Sequence, residues 1–462
     1  MPSPRTSHTR FISSGSAQTD GQQSETTLSR VLLIAEAANP EWVSVPLIGW
    51  SLARAIAAHA PAHLVTQSRN RAALLRAGLI ENRDFTAIDS ERVARPLYSL
   101  AQRWRGGEGV GWTTVAAMST LSYYHFEWLV WRQFGAAIQQ GTFNLIHRIT
   151  PVSPTTPSLL AKRCARAFRP FIIGPLNGGV PWPKEFDRAR RMEREWLSYA
   201  RGAYKLLPGH VSTLAKSAAI IVGSRSTLGE IPRRFREKCV YIPENAIDPA
   251  RFSAPVSAAS QGILRACFVG RLVPYKGPDM LLEAVAPLIR EGRLSLDIIG
   301  DGPLMPELSA YAHRHDLGAG LALHGWIVHE KLQSLMSRSQ LLLFPSIREF
   351  GGGVVLEAMA LGLVPVVIDY AGPGELVSDA TGFKIPLGTR VEIIARLRSI
   401  VTSICNHPAQ LRAKSISARS RVRELFTWDV KARQVIEIYE WIRGHRANKP
   451  QFFDLRASGA TP

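Results

Sequence analysis

The sequence predicts an α/β protein made of two Rossmann-like, doubly wound domains that face each other across a cleft. Three observations lead there. At 462 residues the chain is too long for one ordinary core. Two successive series of short apolar runs alternate with helix-compatible segments, one over 31–247 and one over 263–427. Between them, 248–262 is rich in Ala, Ser and Pro, the composition of a linker.

Residues 1–30 hold Ser, Thr, Gln and Arg without an apolar core, so they read as a disordered tail and not as a secretory signal. From Val31, VLLIAEA is a buried strand whose exit loop carries Asn39, Pro40 and Glu41. Trp50–His59 has helical spacing, and Ala62–Thr66 is the next strand. Over 91–141 aromatic helical segments flank the loop RGGEGVG. Within them Trp112–Trp131 comes nearest to a membrane span, but His125 and Glu127 make it an amphipathic or buried helix. A cytoplasmic protein is expected. The strand Asn144–Ile149 holds His147 near its end and runs into the turn-rich PVSPTTP. Arg169–Gly174 is another strand, followed by the loop PLNGGVPWP, and 184–204 is an Arg-rich helical pattern. Ala218–Val222 and Val240–Ile242 complete the first series.

The second series begins with the strand Leu264–Val269 and a helix over Pro278–Arg290. Strand Leu296–Ile299, helix Leu304–His315 and strand Ala322–His324 follow. Next, Leu341–Phe344 is a strand closed by Pro345, and a loop with Glu349 leads to Gly351, Gly352 and Gly353. A helix starting near Val354 ends at Gly362, and Val366–Ile368 is again a strand. Residues 390–423 are largely helical with a break at 406–408. The last helix, Trp428–Arg443, comes after the second sheet is finished and is expected to return to the first domain, with 447–462 as a tail.

The net charge of +19 predicts attraction to polyanions: nucleic acid, anionic lipid headgroups or phosphorylated ligands. Cys164, Cys239, Cys267 and Cys405 are scattered without metal-ligand spacing and read as small buried thiols in a reducing compartment. No Asp-x-Asp pair occurs, so no metal is expected to hold a diphosphate.

The chemistry concentrates at strand ends. In the strand–glycine turn–helix unit from Leu341, the glycines let a ligand approach the backbone, and the free N–H groups of the helix start attract anions. Glu349 and Glu357 flank that turn as hydroxyl acceptors. The loop GRLVPYKG, 270–277, brings Arg271 and Lys276 to the end of another strand, two cations suited to a diphosphate. LDIIGDGP, 296–303, lacks the full dinucleotide fingerprint and reads as a tight strand-to-helix turn.

Taken in order, GRL...KG, IIGDGP, LHGW and FPSIREFGGGVVLEAMALGLVPVV closely resemble the C-terminal half of the retaining glycosyltransferases of family 4. The resemblance is strong from Leu264 to about Gly382, and weaker over VYIPENAID and the first domain. It implies the two-domain GT-B fold and a nucleotide-diphosphate sugar as donor substrate, with no other cofactor. By the same resemblance Glu349 faces the donor sugar and Glu357 holds the ribose hydroxyls. Arg271 and Lys276 hold the diphosphate, and Gly351 opens a donor-binding turn in which Gly352, Gly353 and Val354 supply N–H groups. His147 is the candidate that faces the donor sugar from the first domain, while Asn177, Gly178 and Gly179 suggest an acceptor side. Where a Gly-Gly motif is expected after the first strand, the chain has Ala38–Trp42, which leaves Glu41 between an acceptor-side role and a surface one.

The reaction implied is sugar transfer to an acceptor hydroxyl with retention, by same-face attack in which the departing phosphate takes the acceptor's proton. A covalent role for Glu349, by analogy with retaining glycosidases, is disfavoured. Polysaccharide, exopolysaccharide, lipopolysaccharide or glycolipid synthesis of bacterial type is the expected setting. The clusters KRCARAFR (162–169), RARRMER (188–194) and RRFREK (233–238), with Trp182, Trp196 and Tyr199, lead us to expect an anionic membrane surface or a lipid-linked acceptor as partner. A solvated basic face explains them equally well. A GT-B binding protein without activity is the rival reading. A nucleic-acid binder is disfavoured, because no recognition helix, stacking motif or zinc module occurs.

Overall fold

The computed structural model describes residues 30–91, 112–178, 180–187, 203–252 and 262–453, without the side chains of 112–119, 329 and 330. The expected N-terminal tail, the loop RGGEGVG, Gly179, the run RARRMER with Trp196 and Tyr199, linker residues 253–261 and the final residues from 454 lie outside them.

Two parallel sheets organise the chain. The first contains β1 (Val31–Ala35), β2 (Ala62–Gln67), β3 (Phe85–Ile88), β4 (Leu145–Thr150), β5 (Phe171–Leu176), β6 (Ala219–Val222) and β7 (Cys239–Tyr241), in the order β3-β2-β1-β4-β5-β6-β7. The second contains β8 (Leu264–Val269), β9 (Leu294–Ile299), β10 (Leu321–Leu323), β11 (Leu341–Phe344), β12 (Val364–Ile368) and β13 (Phe383–Ile385), in the order β10-β9-β8-β11-β12-β13. Helices cover both faces, so β1, β4, β5, β11 and β12 are buried at every residue. That is why they read as continuous apolar runs and not as alternating ones.

Strand order reverses between β1 and β4 in the first sheet and between β8 and β11 in the second. Such switch points place the loops beyond the strand ends on either side of a crevice, where ligands of doubly wound sheets bind. Here the two crevices share one cavity of about 1840 Å³, walled by both domains.

The helix Trp428–Ile442 packs on the first domain, not the second: Ala432, Val435, Ile438 and Tyr439 share a core with β1 and β4. Where it crosses over, Ile247 bridges Thr427, with Ile247 N donating to Phe426 O at 2.9 Å and Trp428 N to Ile247 O at 3.3 Å. The chain therefore passes between the domains twice at one pivot. Among the described residues no helix is long and apolar enough to cross a membrane; the helix Trp112–Gln140 buries Tyr123, Phe126, Val130 and Ile138 against the first sheet. Cys164, Cys239 and Cys267 are buried, Cys405 half-buried, and all four are free.

Candidate active site

β8 and β11 pair in register, Ala266 with Leu341 and Cys267 with Leu342, so the loops that leave them emerge side by side. Ile347 N and Ser346 Oγ both donate to Tyr275 O, at 2.9 and 3.2 Å, and lock the two loops together. Gly277 permits this closeness: its φ is +69°, and a β-carbon there would stand 2.7 Å from Pro345 O. The result is a direct ion pair, Lys276 Nζ to Glu349 Oε2 at 2.7 Å, with both side chains about four-fifths buried. Burial pulls the Lys276 ammonium down, but the Glu349 carboxylate more than offsets this and holds it above its ordinary value. Arg271 is half-buried on the same loop, near enough to act on Lys276 electrostatically, though it does not line the cavity.

The glycines of IIGDGP act as a buttress for this loop. A β-carbon on Gly300 would lie 2.0 Å from Gly270 O, and one on Gly302 would lie 2.5 Å from Leu272 O. Across the site, Gly352 turns the chain at φ +62° into the helix Gly353–Leu361. Gly351, Gly353, Val354 and Glu357 line the cavity, whereas Gly352 lies behind them against Leu376 and Pro373. An anion above this turn would meet the unpaired N–H groups of the helix start.

On the first domain two assignments change. His147 does not face the cleft. It lies mid-strand in β4, fully buried, with Nδ1 2.7 Å from the Tyr439 hydroxyl and Nε2 2.8 Å from Gly174 O. Burial lowers its pKa to about 4, so the ring is neutral and both nitrogens are already engaged. The reason is topological: β4 is a central strand covered on both faces, and the last helix packs over the face that His147 occupies. Glu41 is a surface residue. Arg76 grips its carboxylate at 2.7 and 2.8 Å and holds it below its ordinary pKa, and Glu41 does not line the cavity, although Pro40, Val43 and Ser44 around it do. Asn177 and Gly178 do line the cavity, at the C-terminal end of β5.

Residues 255–416 match the family described as glycosyl transferases group 1. The match lies over most of the second domain. Among curated relatives, the gpi3 subunit of phosphatidylinositol N-acetylglucosaminyltransferase from Schizosaccharomyces pombe is 27% identical over 44% of this chain and 44% of its own. Glycogen synthase of Mycobacterium tuberculosis is 29% identical over 51% of this chain and 57% of its own. The chain thus spans about half the length of these relatives. The structure of Anabaena HepE with UDP and glucose superposes with a TM-score of 0.55, at 16% identity, over 89% of this chain and all of that one. At that identity the likeness is one of fold, and the fold is GT-B.

Several residues of the two domains escaped sequence reasoning. Arg348 reaches across the cleft: its guanidinium sits 5.0 Å from the Trp182 ring and 5.2 Å from Phe350, and Nε donates to Val180 O at 3.3 Å. Tyr370 OH donates to Pro181 O at 3.0 Å. Glu375 accepts from Arg225 N and from Tyr241 OH, the latter at 2.6 Å. Beyond β7, Glu244 is buried against the glycine turn, and a β-carbon on Gly351 would fall 2.2 Å from its Oε1. Burial raises Glu244 to about 7; Glu349 adds to the rise, while Asn177 and Lys431 pull the other way. Lys431, on the last helix, is equally buried, donates to Pro243 O and is lowered to about 7 by burial. Lys431 carried a readable signal, since it shares its helical face with Val435 and Ile438. Glu244 carried none, because a single Glu beside a linker looks solvated.

Proposed function

We propose that this chain is a retaining glycosyltransferase of family 4 that moves a sugar from a nucleotide-diphosphate donor to an acceptor hydroxyl. The observation that carries this reading is the Lys276–Glu349 pair beside the glycine turn, at the second domain's switch point and facing the first domain. A diphosphate laid over the turn would draw Lys276 and Arg271, and these two cations stabilise its departure in place of a metal. Glu357, one turn along the helix, is the ribose acceptor. HepE, a GT-B neighbour, holds UDP and glucose, which supports a nucleotide sugar as donor.

Retention by same-face attack fits the state of Glu349. A carboxylate held at 2.7 Å by an ammonium is a poor nucleophile and a good orienting group. The departing phosphate then accepts the acceptor's proton. The acceptor is a sugar or lipid-linked hydroxyl, in polysaccharide or glycolipid synthesis. On the first domain the exposed Leu121, Trp128, Leu159, Leu206 and Val211 accompany basic residues such as Arg132, which lies over the Trp128 ring at 5.7 Å. This composition suits peripheral docking on an anionic membrane.

Thermal-shift screening against UDP, GDP, ADP and their common sugar conjugates selects the donor, and donor hydrolysis by wild type and Glu349→Ala tests the chemistry. Stabilisation by a nucleotide sugar with turnover lost in the variant is expected. A sugar trapped covalently on Glu349 would overturn the same-face mechanism, and sedimentation with vesicles indifferent to anionic lipid and salt would remove the membrane.

A further inference from the structure

The segment 370–376 stands between the two walls of the cavity. On one side it backs the donor loop: Gly372 N donates to Glu349 O at 3.2 Å, and a β-carbon on Gly372 would lie 2.3 Å from Phe350 O. Gly352 of the glycine turn lies against Pro373 and Leu376 of the same segment. On the other side Glu375 enters the first domain. Its carboxyl group accepts from Arg225 N, at 3.0 and 3.1 Å to its two oxygens, and from the Tyr241 hydroxyl at 2.6 Å. Arg225 opens the helix Arg225–Glu230, and Thr227 in its first turn holds the loop of Asn177 and Gly178. Thr227 Oγ1 donates to Gly178 O at 3.0 Å and accepts from Gly178 N at 3.3 Å. Beside these attachments Ala371 keeps φ at +52°, a left-handed conformation that a β-carbon disfavours. Such strain persists only where the surroundings over-determine it, and it clusters at functional sites.

We infer that Glu375 is a positioning residue for the transfer: it fixes the spacing between the wall that carries Glu349 and the wall that carries Asn177 and Gly178. The inference rests on the donor reading above. The contacts are continuous, from Gly178 through Thr227 and Arg225 to Glu375, and from its segment through Gly372 to the backbone of Glu349. Glu375 does not line the cavity, so it acts through these partners and not on a ligand. The other cross-domain bonds described above, from Arg348 and Tyr370, end on the loop carbonyls of Val180 and Pro181. Glu375 instead reaches β7 and a helix start, elements built into the first domain's sheet and its cover. Displacing reacting groups by about 1 Å can cost about a hundredfold in rate, so a contact outside the cavity can govern turnover. Donor binding uses the second domain's own loops, so losing this tie slows the reaction and leaves the nucleotide held.

The test measures donor hydrolysis by the full chain, with the nucleotide sugar that stabilises wild type most, well below each variant's melting temperature. Glu375→Ala is expected to lower kcat about tenfold or more, while the Kd of the nucleotide by calorimetric titration stays within about twofold. A residue that merely supports the fold would not separate the two. Glu375→Gln, whose amide oxygen still accepts from Arg225 N and the Tyr241 hydroxyl, is expected to recover most of kcat. Tyr241→Phe removes a partner from the other side of the tie and is expected to lower kcat about threefold, which supplies the same readout should Glu375→Ala not fold. In the double variant the two losses are expected not to multiply, because each removes the same contact. Wild-type kcat in the folded variants, equal losses of kcat and nucleotide affinity, or losses that multiply in the double variant overturn the positioning role alone. A wild type that neither binds nor hydrolyses a nucleotide sugar overturns the donor reading and this inference with it.

Discussion

His147 offers the sharpest test of how the first domain is built, because a catalytic and a structural residue answer differently to removal. In His147→Leu the Tyr439 hydroxyl and Gly174 O each lose their imidazole partner in a fully buried setting. At about 1–3 kcal/mol for each orphaned group, partly offset by the added apolar burial, the expected loss is about 2–5 kcal/mol. For a domain of this size the melting temperature then falls on the order of 10 °C. Acid adds a second signature. The unfolded imidazole takes up a proton near 6.5 and the folded one only near 4, so between these values acid favours the unfolded chain. This limb, worth about 3 kcal/mol in the wild type, is expected to vanish in the variant. Calorimetry from pH 7 to 4, with donor turnover measured at 20 °C below the lower melting point, checks both. A variant that melts as wild type does yet turns over about a hundredfold more slowly would refute the structural assignment.

Three further outcomes follow from the same geometry. Lys276→Ala is expected to lower turnover about a hundredfold or more by removing a charge from the leaving diphosphate, measured as steady-state donor hydrolysis; unchanged turnover would shift that role to Arg271 alone. Gly300→Ala sets a β-carbon 2.0 Å from Gly270 O at a φ of +143° and is expected to cost about 1–3 kcal/mol by denaturant titration, with weaker nucleotide binding because the loop of Arg271 must move. Lys431 holds its proton only to about pH 7 when folded but to its ordinary 10.5 when unfolded, so raising the pH stabilises the fold through it. The melting temperature of wild type is therefore expected to rise relative to Lys431→Met between pH 7 and 10, and parallel curves would show Lys431 to be ordinarily charged.

Legibility followed burial and local pattern. β8 and β11, along with the helix Pro278–Arg290, were readable because their apolar runs end at glycine or proline and need no distant partner. The glycine turn announced its own geometry in the same way. β3 and β13 were not, since FTAI and FKI are short edge strands made strands by the neighbour they pair with. The strand expected over Val366–Ile368 starts two residues earlier, so that Pro365 lies inside β12. Roles that depend on which face a strand shows were the least legible. His147 sits on a strand where every residue is buried, so no alternation in sequence could show whether it faces the cleft or the last helix. Glu244 became visible only once two domains closed on it.

The seam between the domains suggests how such a site can open and still recover its geometry. Arg348 and Tyr370 donate to the carbonyls of Val180 and Pro181, and Glu375 accepts from the backbone N–H of Arg225 as well as from the Tyr241 hydroxyl. Each such contact is worth about 1 kcal/mol, or up to about 3 where a charge takes part, so together they amount to a few kcal/mol. A donor favours closure only by the difference between its affinities for the closed and the open cleft, about 1.4 kcal/mol for each tenfold. The pivot is of a different kind. The Ile247–Thr427 bridge, the Ile247 N to Phe426 O bond and the hold of Lys431 on Pro243 O lie where the chain crosses, and the last helix is packed into the first domain's core beside them. Opening can therefore break the seam while leaving the pivot intact. Glu244 follows Pro243 directly, so the residue that meets the glycine turn is anchored at the pivot and not at the seam.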